Sequence, residues 1–412
     1  MALIVQKFGG TSVGDVDRIR NVARRVAQTR REGNDVVVVV SAMGKTTDGL
    51  VKLMSDLSAD PNPREMDMLL ATGEQVSIAL VAQALMELGV PAVSMTGWQA
   101  GIVTDPVHRN APILRIDTAK LRELLGQGYV VVVAGFQGVT EAGAITTLGR
   151  GGSDTTAVAL ASSLAADFCD IFTDVDGVYT ADPRVVPAAR MHAEISYDEM
   201  LELASLGAKV LHPRSVEYAK HANLFLRVRS SFNEGYGTVV KGVEQLEKQN
   251  PVSGVAADLK QAKLAVLRVP DRPGVAAQLF NALAKQHIDV DMIIQSAHAQ
   301  DTNDIAFTVS EEDLGRAKQV VNEIADAMGA AGVIAAGGVA KVSIVGAGMI
   351  NHPGTAAAMF SALAEAGINI QMISTSEIKV SCVIDREQAH EAVRVIHRAF
   401  ALDQENAPVV TG

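Results

Sequence analysis

A lysine and two glycines follow the first apolar run of the chain, in the stretch KFGGTSVGD at residues 7–15. Glycines let backbone N–H groups approach phosphate oxygens, and a lysine neutralises the phosphate charge. In the common loop GxxxxGK[ST] the lysine comes after the glycines, whereas Lys7 precedes Gly9 and Gly10. Because Lys7 ends an apolar run, we expect a strand to hold it. The stretch predicts a phosphate site whose lysine is fixed by a sheet.

A second glycine-rich stretch, TTLGRGGSDTTAVAL, places Arg150 among three glycines just before a predicted helix. The free N–H groups and partial positive charge of a helix start suit a carboxylate or a phosphate. The arginine fork binds a carboxylate through two parallel hydrogen bonds. Ser153 and Asp154 open the helix, where N-capping alone also explains their residue types.

Two more stretches carry polar side chains next to apolar runs. SAMGKTTDG, which contains Ser41, Lys45 and Thr47, is a small-residue loop after the run Val36–Val40. ATGEQVS places Glu74 inside an apolar helical stretch, where a carboxylate must be solvated or paired. Lys45 has no assigned role, and a solvated lysine explains it.

Two stretches are superficially similar to motifs that bind other ligands. FTDVDGVYTADPR contains D-x-D-G, but its glycine is the fourth residue rather than the sixth, and no glutamate closes a twelve-residue loop. KVSIVGAGMINHPG is similar to a dinucleotide fingerprint, yet Asn351 stands where the third glycine belongs. The sequence therefore predicts neither a calcium loop nor a dinucleotide site.

The elements that must position these residues alternate between strands and helices up to about residue 241. Runs that are apolar on both faces suit the interior of a parallel sheet, whose ligands bind at the carboxyl ends of the strands. KFGG, VSAMG, AGFQG and TLGRGGSD all fall at such ends, which predicts one site. The expected strands are Leu3–Val5, Val36–Val40 and Tyr129–Ala134, and the expected helices are Val16–Thr29 after Asp15 as a cap, Arg64–Leu88 interrupted by Gly73, and Ala157–Ala166.

Composition limits the class of protein. The chain has 412 residues, with 48% hydrophobic and 4% aromatic residues, which indicates two or three domains built from α/β layers. A formal charge of −11 argues against a nucleic-acid partner. Cys169 and Cys382 lie in apolar stretches without paired spacing, and no uncharged run is long enough to span a membrane. We expect a cytoplasmic protein with no nucleic-acid or membrane partner.

The last part of the chain repeats itself. After the polar stretch Glu244–Pro251, which is typical of a linker, residues 273–296 align without gaps to residues 353–376, with 12 of 24 positions identical. Each copy predicts a βαββαβ unit, and the shared turn, helix and strand indicate a duplication. The exposed edges of such units pair with one another, so we expect a homodimer or a higher homo-oligomer.

These motifs together resemble one family. KFGGTSVGD, VVVVSAMGKTTDGL, LLATGEQVS, GRGGSDTTA, FTDVDGVYTADPR and KVLHP are similar, in this order, to the signatures of the aspartokinases of the amino-acid kinase superfamily. The repeat resembles their tandem C-terminal ACT domains. The resemblance covers nearly the whole chain. It implies an α/β fold: an amino-acid kinase fold with a largely parallel central sheet, then two ACT-type, ferredoxin-like domains. The implied domains are residues 1–243 (catalytic), 244–261 (linker and expected first strand of the second ACT unit), 262–335 (ACT domain 1) and 336–412 (ACT domain 2).

The resemblance also implies an activity and its residues. The activity is ATP-dependent phosphorylation of the L-aspartate β-carboxylate, with Mg²⁺ accompanying the nucleotide. Because that carboxylate is already ionised near neutral pH, no general base is expected. The implied catalytic residues are Lys7, which neutralises charge on the transferred phosphate, and Asp154, which orders Lys7. The implied ATP-binding residues are Lys7, Phe8, Gly9, Gly10, Ser41, Thr173, Asp174, Tyr179, Asp182, Arg184 and Lys209. The implied aspartate-binding residues are Thr47, Glu74 (for the α-ammonium group), Arg150, Gly151, Gly152, Ser153 and Asp154.

The repeat implies regulation by lysine, threonine or both, where the Pro-Gly turn of one copy meets a strand of the other. The expected regulatory residues are Asp271, Gly274, Val275, Gln295, Thr355, Asn369 and Ile370. Two alternatives stay open here. One is another kinase of the superfamily, acting on glutamate, acetylglutamate or UMP. The other is an amino-acid sensor without catalysis, which the presence of Lys7, Arg150 and Asp154 disfavours.

Overall fold

A computed structural model describes residues 1–206, 210–243, 250–298 and 301–404 and divides the chain into two compact units. Of the described residues, the first unit contains Met1–Val178, Met191–Ala204 and residues 210–243. The second unit contains Tyr179–Arg190, Ser205, Leu206 and the described residues from 250 onwards. The domain boundaries expected from the sequence stay a prediction.

The first unit is built around a mixed but largely parallel sheet. Its strands are β1 Leu3–Phe8, β2 Asp35–Val40, β3 Ala92–Met95, β4 Ile102–Thr104, β5 Ile113–Ile116, β6 Val130–Ala134, β7 Gln137–Thr140, β8 Ile145–Thr147, β9 Phe168–Thr173, β10 Glu194–Ser196, β11 Leu226–Ser230 and β12 Thr238–Lys241. Its helices are α1 Val16–Arg31, α2 Thr46–Leu57, α3 Pro63–Leu70, α4 Thr72–Glu87, α5 Ala119–Gly126, α6 Gly152–Leu164, α7 Tyr197–Ser205 and α8 Pro213–Ala222.

Eight strands form the main sheet in the order β10-β12-β11-β9-β1-β2-β6-β3, and β5-β4-β7-β8 form a smaller sheet. Strands β9, β1, β2 and β6 are mutually parallel, so their carboxyl ends share one edge. Helices α1 and α4 cover one face, where Val36, Val38 and Val40 pack with them in a buried core. The valines between them are also fully buried, because α6 packs against β1, β2 and β9 on the other face. Burial on both faces explains the continuous apolar runs of the sequence.

Helices α3 and α4 were expected as one helix interrupted by Gly73. The break instead falls at Ala71, and Asn62 caps α3 with its side chain while Pro63 opens it. The stretch Pro63–Glu87 is long enough to cross a membrane and contains an 18-residue window with a mean hydropathy of 1.4, but half of that window is buried. Because α4 contributes Ile78, Val81 and Leu85 to the core beside β2, this stretch is a core element of the first unit.

The second unit is an antiparallel sheet with four helices. Its strands are β13 Gly254–Pro270, β14 Val290–His298, β15 Thr302–Ser310, β16 Gly332–Val345, β17 Met372–Thr375 and β18 Lys379–Asp385, in the order β14-β15-β13-β16-β18-β17. Its helices are α9 Val275–Lys285, α10 Leu314–Met328, α11 Thr355–Glu365 and α12 Ala389–Ala399. This is the duplicated pattern that the repeat predicts.

The two copies share their longest strands. One end of β13, Gly254–Asp258, pairs with the second half of β16, and the other end, from Lys263 to Leu267, pairs with its first half. Each long strand thus serves both copies. Met292 and Met372, which occupy equivalent positions of the repeat, lie in the same small buried cluster. The duplication is therefore also visible in the packing.

The segment Tyr179–Arg190 also packs in the second unit. Ala181 and Val186 belong to the buried core that contains α11 and α12. The Thr180 hydroxyl lies 2.9 Å from His397 Nε2, and the Thr180 carbonyl accepts from Val255 N at 2.8 Å. A segment that follows β9 of the first unit is thus held by the second.

Candidate active site

The Lys7 ammonium and the Asp154 carboxylate form an ion pair at the shared edge of the sheet. Lys7 Nζ lies 2.6 Å from Asp154 Oδ1, and the two side chains are only 11% and 13% exposed. Lys7 is held by β1, whose neighbours β2 and β9 pair with it on both sides. The sheet therefore fixes the lysine, as predicted. Asp154 lies in the first turn of α6, which has no side-chain cap, so its carboxylate holds Lys7 instead.

The loops after β1 and β2 meet at Gly10. A β-carbon at Gly10 would lie 2.8 Å from the Ala42 carbonyl oxygen, so only glycine permits this approach. Gly44 N donates to the Gly10 carbonyl at 2.9 Å, which joins the two loops. Ser41 follows β2 and Thr47 lies in the first turn of α2, and both are half-buried. These residues are brought to the same edge as Lys7, whereas Lys45 is exposed.

Glu74 is a nearly buried carboxylate with one unused oxygen. The residue is 2% exposed, and its Oε1 accepts a hydrogen bond from Ala42 N at 3.1 Å. Among the described residues its Oε2 has no hydrogen-bond partner. Burial raises the pKa of the Glu74 carboxyl from 4.5 to about 7, despite the backbone hydrogen bonds that lower it. A cation at Oε2 would restore the ionised form.

Arg150 lies in the loop between β8 and α6. Its side chain is exposed, and none of the ion pairs among the described residues involves it. Gly151 has a φ of +67° and ends the loop as the residue before α6. Gly152 and Ser153 are buried at the helix start. The loop thus presents a free guanidinium next to backbone N–H groups, which suits a carboxylate.

The expected nucleotide residues fall into three groups. Thr173 ends β9 and Asp174 follows it, beside the Lys7 turn, where Gly9 N donates to the Phe172 carbonyl at 3.3 Å. Phe8 stacks on Phe172 with ring centres 4.6 Å apart. The second group, Tyr179, Asp182 and Arg184, lies in the second unit, where Arg184 Nη2 contacts Asp182 Oδ2 at 2.7 Å. Lys209 lies outside the described residues.

The expected regulatory residues all belong to the second unit. Gly274 and Gly354 precede α9 and α11 with φ of +94° and +99°, so the two Pro-Gly turns have the same conformation. The residues for ligand contact are mostly exposed, except that Val275 is buried and that Thr355 and Ile370 are half-buried. The exposed ones are Asp271, Gly274, Gln295 and Asn369. Their grouping into one site stays a prediction.

Two polar clusters behind the site were missed from the sequence. Asp67 of α3 is fully buried and accepts hydrogen bonds from His108 Nδ1 at 2.8 Å and from Thr147 Oγ1 at 2.6 Å. His212 and Arg214 at the start of α8 contact the loop that carries Arg150. A charged residue in an apolar helical run, Asp67, was a signal for the first. The stretch KVLHP contains His212, but its partners are distant in sequence and left no local signal.

Metal-ligating side chains do not cluster in the described ranges. In these ranges no group of three or more His, Cys, Asp or Glu side chains could hold an ion. Mg²⁺ in phosphate-transferring enzymes keeps several waters and is bound mainly by the phosphates with one or two carboxylates.

Comparison with known proteins identifies the family. Residues 2–230 match the Amino acid kinase family, and residues 268–324 and 342–400 match the ACT domain. An aspartokinase from Geobacillus stearothermophilus is 55% identical over 409 residues, covering 99% of this chain and 100% of the relative. The chain belongs to the aspartokinases. An aspartokinase from Bacillus sp. (strain MGA3) is 54% identical over 402 residues, 98% of each chain.

Solved structures agree with this family. E. coli aspartokinase III in complex with aspartate and ADP (R-state) is similar, with a TM-score of 0.80, 28% identity, and 96% of this chain and 99% of that chain covered. The same protein in complex with lysine and aspartate (T-state) gives a TM-score of 0.76, with 28% identity and coverage of 97% and 99%. The predicted family, the fold class and the identity as an aspartate kinase are confirmed, which removes both alternatives.

Proposed function

We propose that the enzyme transfers the γ-phosphoryl group of ATP to the β-carboxylate of L-aspartate, giving 4-phospho-L-aspartate, the first step toward lysine, threonine and methionine. The observation that carries the substrate assignment is Glu74, a buried carboxylate with an unused oxygen and a pKa near 7. A buried carboxylate is stable in its ionised form when a cation pairs with it, and the α-ammonium group of aspartate is such a cation.

Lys7 acts on the charge of the transferred phosphoryl group. Phosphoryl transfer needs positioning and positive charge more than covalent help from the protein. The Asp154 carboxylate, 2.6 Å from Lys7 Nζ, holds the ammonium at the strand ends before substrates arrive. The substrate carboxylate is its own nucleophile, so the protein supplies no base.

Arg150 binds the α-carboxylate of aspartate. Its exposed guanidinium and the N–H groups at the start of α6 match a planar anion. With Glu74 on the α-ammonium group and Arg150 on the α-carboxylate, the β-carboxylate is the group left to face Lys7. In this assignment the enzyme selects its substrate by the α-ammonium and α-carboxylate groups.

ATP occupies the adjoining strand ends, where Thr173, Asp174 and the Lys7–Gly10 turn are neighbours. Mg²⁺ that enters with the nucleotide would be held mainly by its phosphates and would supply neutralising charge there. We assign Phe8 and Ser41 to the same half and Thr47 to the aspartate half. The resemblance also assigns Tyr179, Asp182, Arg184 and Lys209 to ATP, and these four assignments stay a prediction.

Steady-state assays test the substrate assignment. We expect turnover of L-aspartate with ATP and Mg²⁺, and loss of kcat/KM for succinate, which lacks the α-ammonium group, and for N-acetyl-L-aspartate. Glu74→Gln should reduce this discrimination, because the cation partner is gone. Equal turnover of glutamate and aspartate, or discrimination that is unchanged in Glu74→Gln, would contradict the proposal.

We further propose that amino acids regulate the enzyme at the ACT domains. E. coli aspartokinase III has been solved with lysine and aspartate in a T-state, and the two Pro-Gly turns of this chain have the same conformation as each other. A free amino acid has a carboxylate for turn N–H groups and an ammonium for the oxygens of Asp271, Gln295 or Asn369. Calorimetry with lysine and threonine, singly and mixed, tests this on wild type and Asp271→Ala. A coupling of about 1–3 kcal/mol would weaken substrate binding about 5–150-fold, and absence of binding by both would refute it.

The assembly and the compartment are also proposals. Edge strands β14 and β17 each expose one isoleucine, Ile293 and Ile373, at equivalent positions of the repeat. Pairing of such edges supports a homodimer or a higher homo-oligomer formed through the ACT domains. Light scattering on the purified enzyme tests this, since a monomer at micromolar concentration would contradict it. The two buried free cysteines fit a reducing cytoplasm.

A further inference from the structure

The residue before α8 is a histidine, which is an unusual choice for a helix cap. Ser, Thr, Asp and Asn are the preferred side chains at this position. His212 Nδ1 accepts a hydrogen bond from Arg214 N at 3.3 Å, and Pro213 opens the helix. The start of α3 has the same arrangement with the usual residue: Asn62 Oδ1 accepts from Arg64 N at 2.9 Å. Capping alone therefore does not explain the imidazole.

The ring of His212 packs against the loop that precedes α6. A β-carbon at Gly151 would lie 2.2 Å from His212 Cγ and 2.5 Å from its Cδ2. Since Gly151 also has a φ of +67°, the loop turns directly against the imidazole. An asparagine at position 212 would cap the helix, but its side chain is too small to cover the same surface.

Arg214 holds the other end of this loop. Its Nη1 donates to the Leu148 carbonyl at 2.9 Å, and its Nη2 donates to Asn110 Oδ1 at 2.8 Å. Arg150 lies between the two contacts, Leu148 on one side and Gly151 on the other. His212 and Arg214, at the start of α8, therefore contact the loop on both sides of Arg150.

The protonation state of His212 suits this arrangement. Burial, followed by the charge of Arg214, lowers the pKa of His212, while Asp154 and Glu217 oppose the shift. The neutral imidazole keeps Nδ1 as an acceptor for Arg214 N and carries its proton on Nε2.

We propose that His212 and Arg214 are positioning residues that hold Arg150 in place for the substrate's α-carboxylate. The inference rests on the proposed role of the loop in binding aspartate. A displacement of about 1 Å in a positioning group can cost about 10²-fold in rate. Because Arg150 is assigned to binding the α-carboxylate, losing either contact should weaken aspartate binding. We therefore expect a higher KM for aspartate and an unchanged KM for ATP.

Two substitutions separate the ring from the cap. His212→Asn keeps a side-chain acceptor and loses the ring. It should keep the wild-type Tm and raise KM for aspartate about 10- to 100-fold, with KM for ATP within twofold. His212→Phe keeps a ring without an acceptor, so it should lower Tm while KM for aspartate stays closer to wild type. Arg214→Gln should raise KM for aspartate as His212→Asn does.

Asn62→Ala is the matched control. It removes the equivalent cap from α3, so it should lower Tm without changing KM for aspartate. If His212→Asn leaves KM for aspartate within twofold of wild type while Arg150→Ala raises it, His212 is only a cap and the inference is wrong. If Arg150→Ala has no effect but His212→Asn does, the loop matters through other groups, and the assigned role of Arg150 is overturned. If neither has an effect, both proposals are wrong.

Discussion

The proposed aspartate half and the proposed nucleotide half of the site differ in how far their side chains are buried and paired. Both carboxylates assigned to aspartate are already held within the protein: Asp154 pairs with Lys7 at 2.6 Å, and Glu74 is 2% exposed. On the nucleotide side, Thr173 is half-buried and Asp174 is exposed. Preorganised charge is most effective where charge develops in the transition state, because no reorganisation is then required. In this proposal the charged groups around the phosphoryl group and the amino acid are buried or paired before ligands bind, whereas the residues assigned to the nucleotide are more exposed.

The largest effect is expected from removing the preorganised charge. Lys7→Ala should lower kcat by about 10²–10³ or more, because the lysine stabilises charge that is greatest in the transition state. KM for aspartate should change only a few-fold. Steady-state kinetics on the folded variant provide the measurement. Lys52→Ala, an exposed lysine of α2 paired with Asp56, is the control. A kcat within a few-fold of wild type would remove Lys7 from the chemistry.

Glu74→Gln should lower kcat/KM for aspartate by about 10²-fold, with KM for ATP unchanged, since it leaves the substrate ammonium without its charged partner. In the wild type, kcat/KM for aspartate should fall as pH drops below about 7, because the free carboxyl becomes protonated there. The variant should lose this part of the pH profile. A collapse of ATP affinity instead would place Glu74 in the nucleotide half.

Short stretches of the sequence were enough to predict that Lys7 lies near the end of a strand, that Glu74 lies in an apolar helix, and that the glycine-rich loops lie at strand ends. A lysine after an apolar run and a carboxylate inside one are visible in a few residues, because strand ends and burial follow local patterns. The helix break at Ala71 lies two residues before the expected Gly73. Gly73 is instead a buried residue of α4, where a β-carbon would lie 2.9 Å from Ala42 Cβ, so this glycine permits close packing rather than ending a helix.

Tertiary contacts explain what could not be predicted. The imidazole of His212 meets Gly151 across a long sequence separation, and nothing in either local stretch shows this. Similarly, the segment Tyr179–Arg190 continues a motif of the first unit but packs with Val252 and Val255 of the second. Its apolar residues reveal that it is buried without revealing which core buries it.

Burial of the Glu74 carboxylate should make the folded protein less stable as pH rises. The folded-state pKa of Glu74, about 7, lies above its ordinary value of 4.5. The folded protein therefore binds more protons between these pH values, and the free energy of unfolding falls as pH rises through this window. Without ligand, Glu74→Gln should be more stable than wild type at pH 8 by up to about 3 kcal/mol and by much less at pH 5.

Urea unfolding at both pH values measures this difference. Glu87→Gln, an exposed glutamate at the end of the same helix, should show no such gain. An equal gain for Glu74→Gln at pH 5 and pH 8 would mean that ionisation is not its cause. In that case Glu74 would not be the strained, unpaired group that distinguishes the aspartate half.

The smallest effect is expected in the nucleotide half. Arg184 is 89% exposed and pairs with Asp182, whose carboxyl pKa it lowers chiefly through its hydrogen bonds. Exposed pairs of this kind contribute about 0–1 kcal/mol to stability, so Arg184→Ala should leave Tm nearly unchanged. If Arg184 contacts ATP phosphates, KM for ATP should rise about 3- to 10-fold, or about 1 kcal/mol in binding. Arg394→Ala, which removes a half-buried arginine of the second unit that pairs with Glu391, is the control. A KM for ATP equal to that of the control would remove Arg184 from the proposed nucleotide-binding residues.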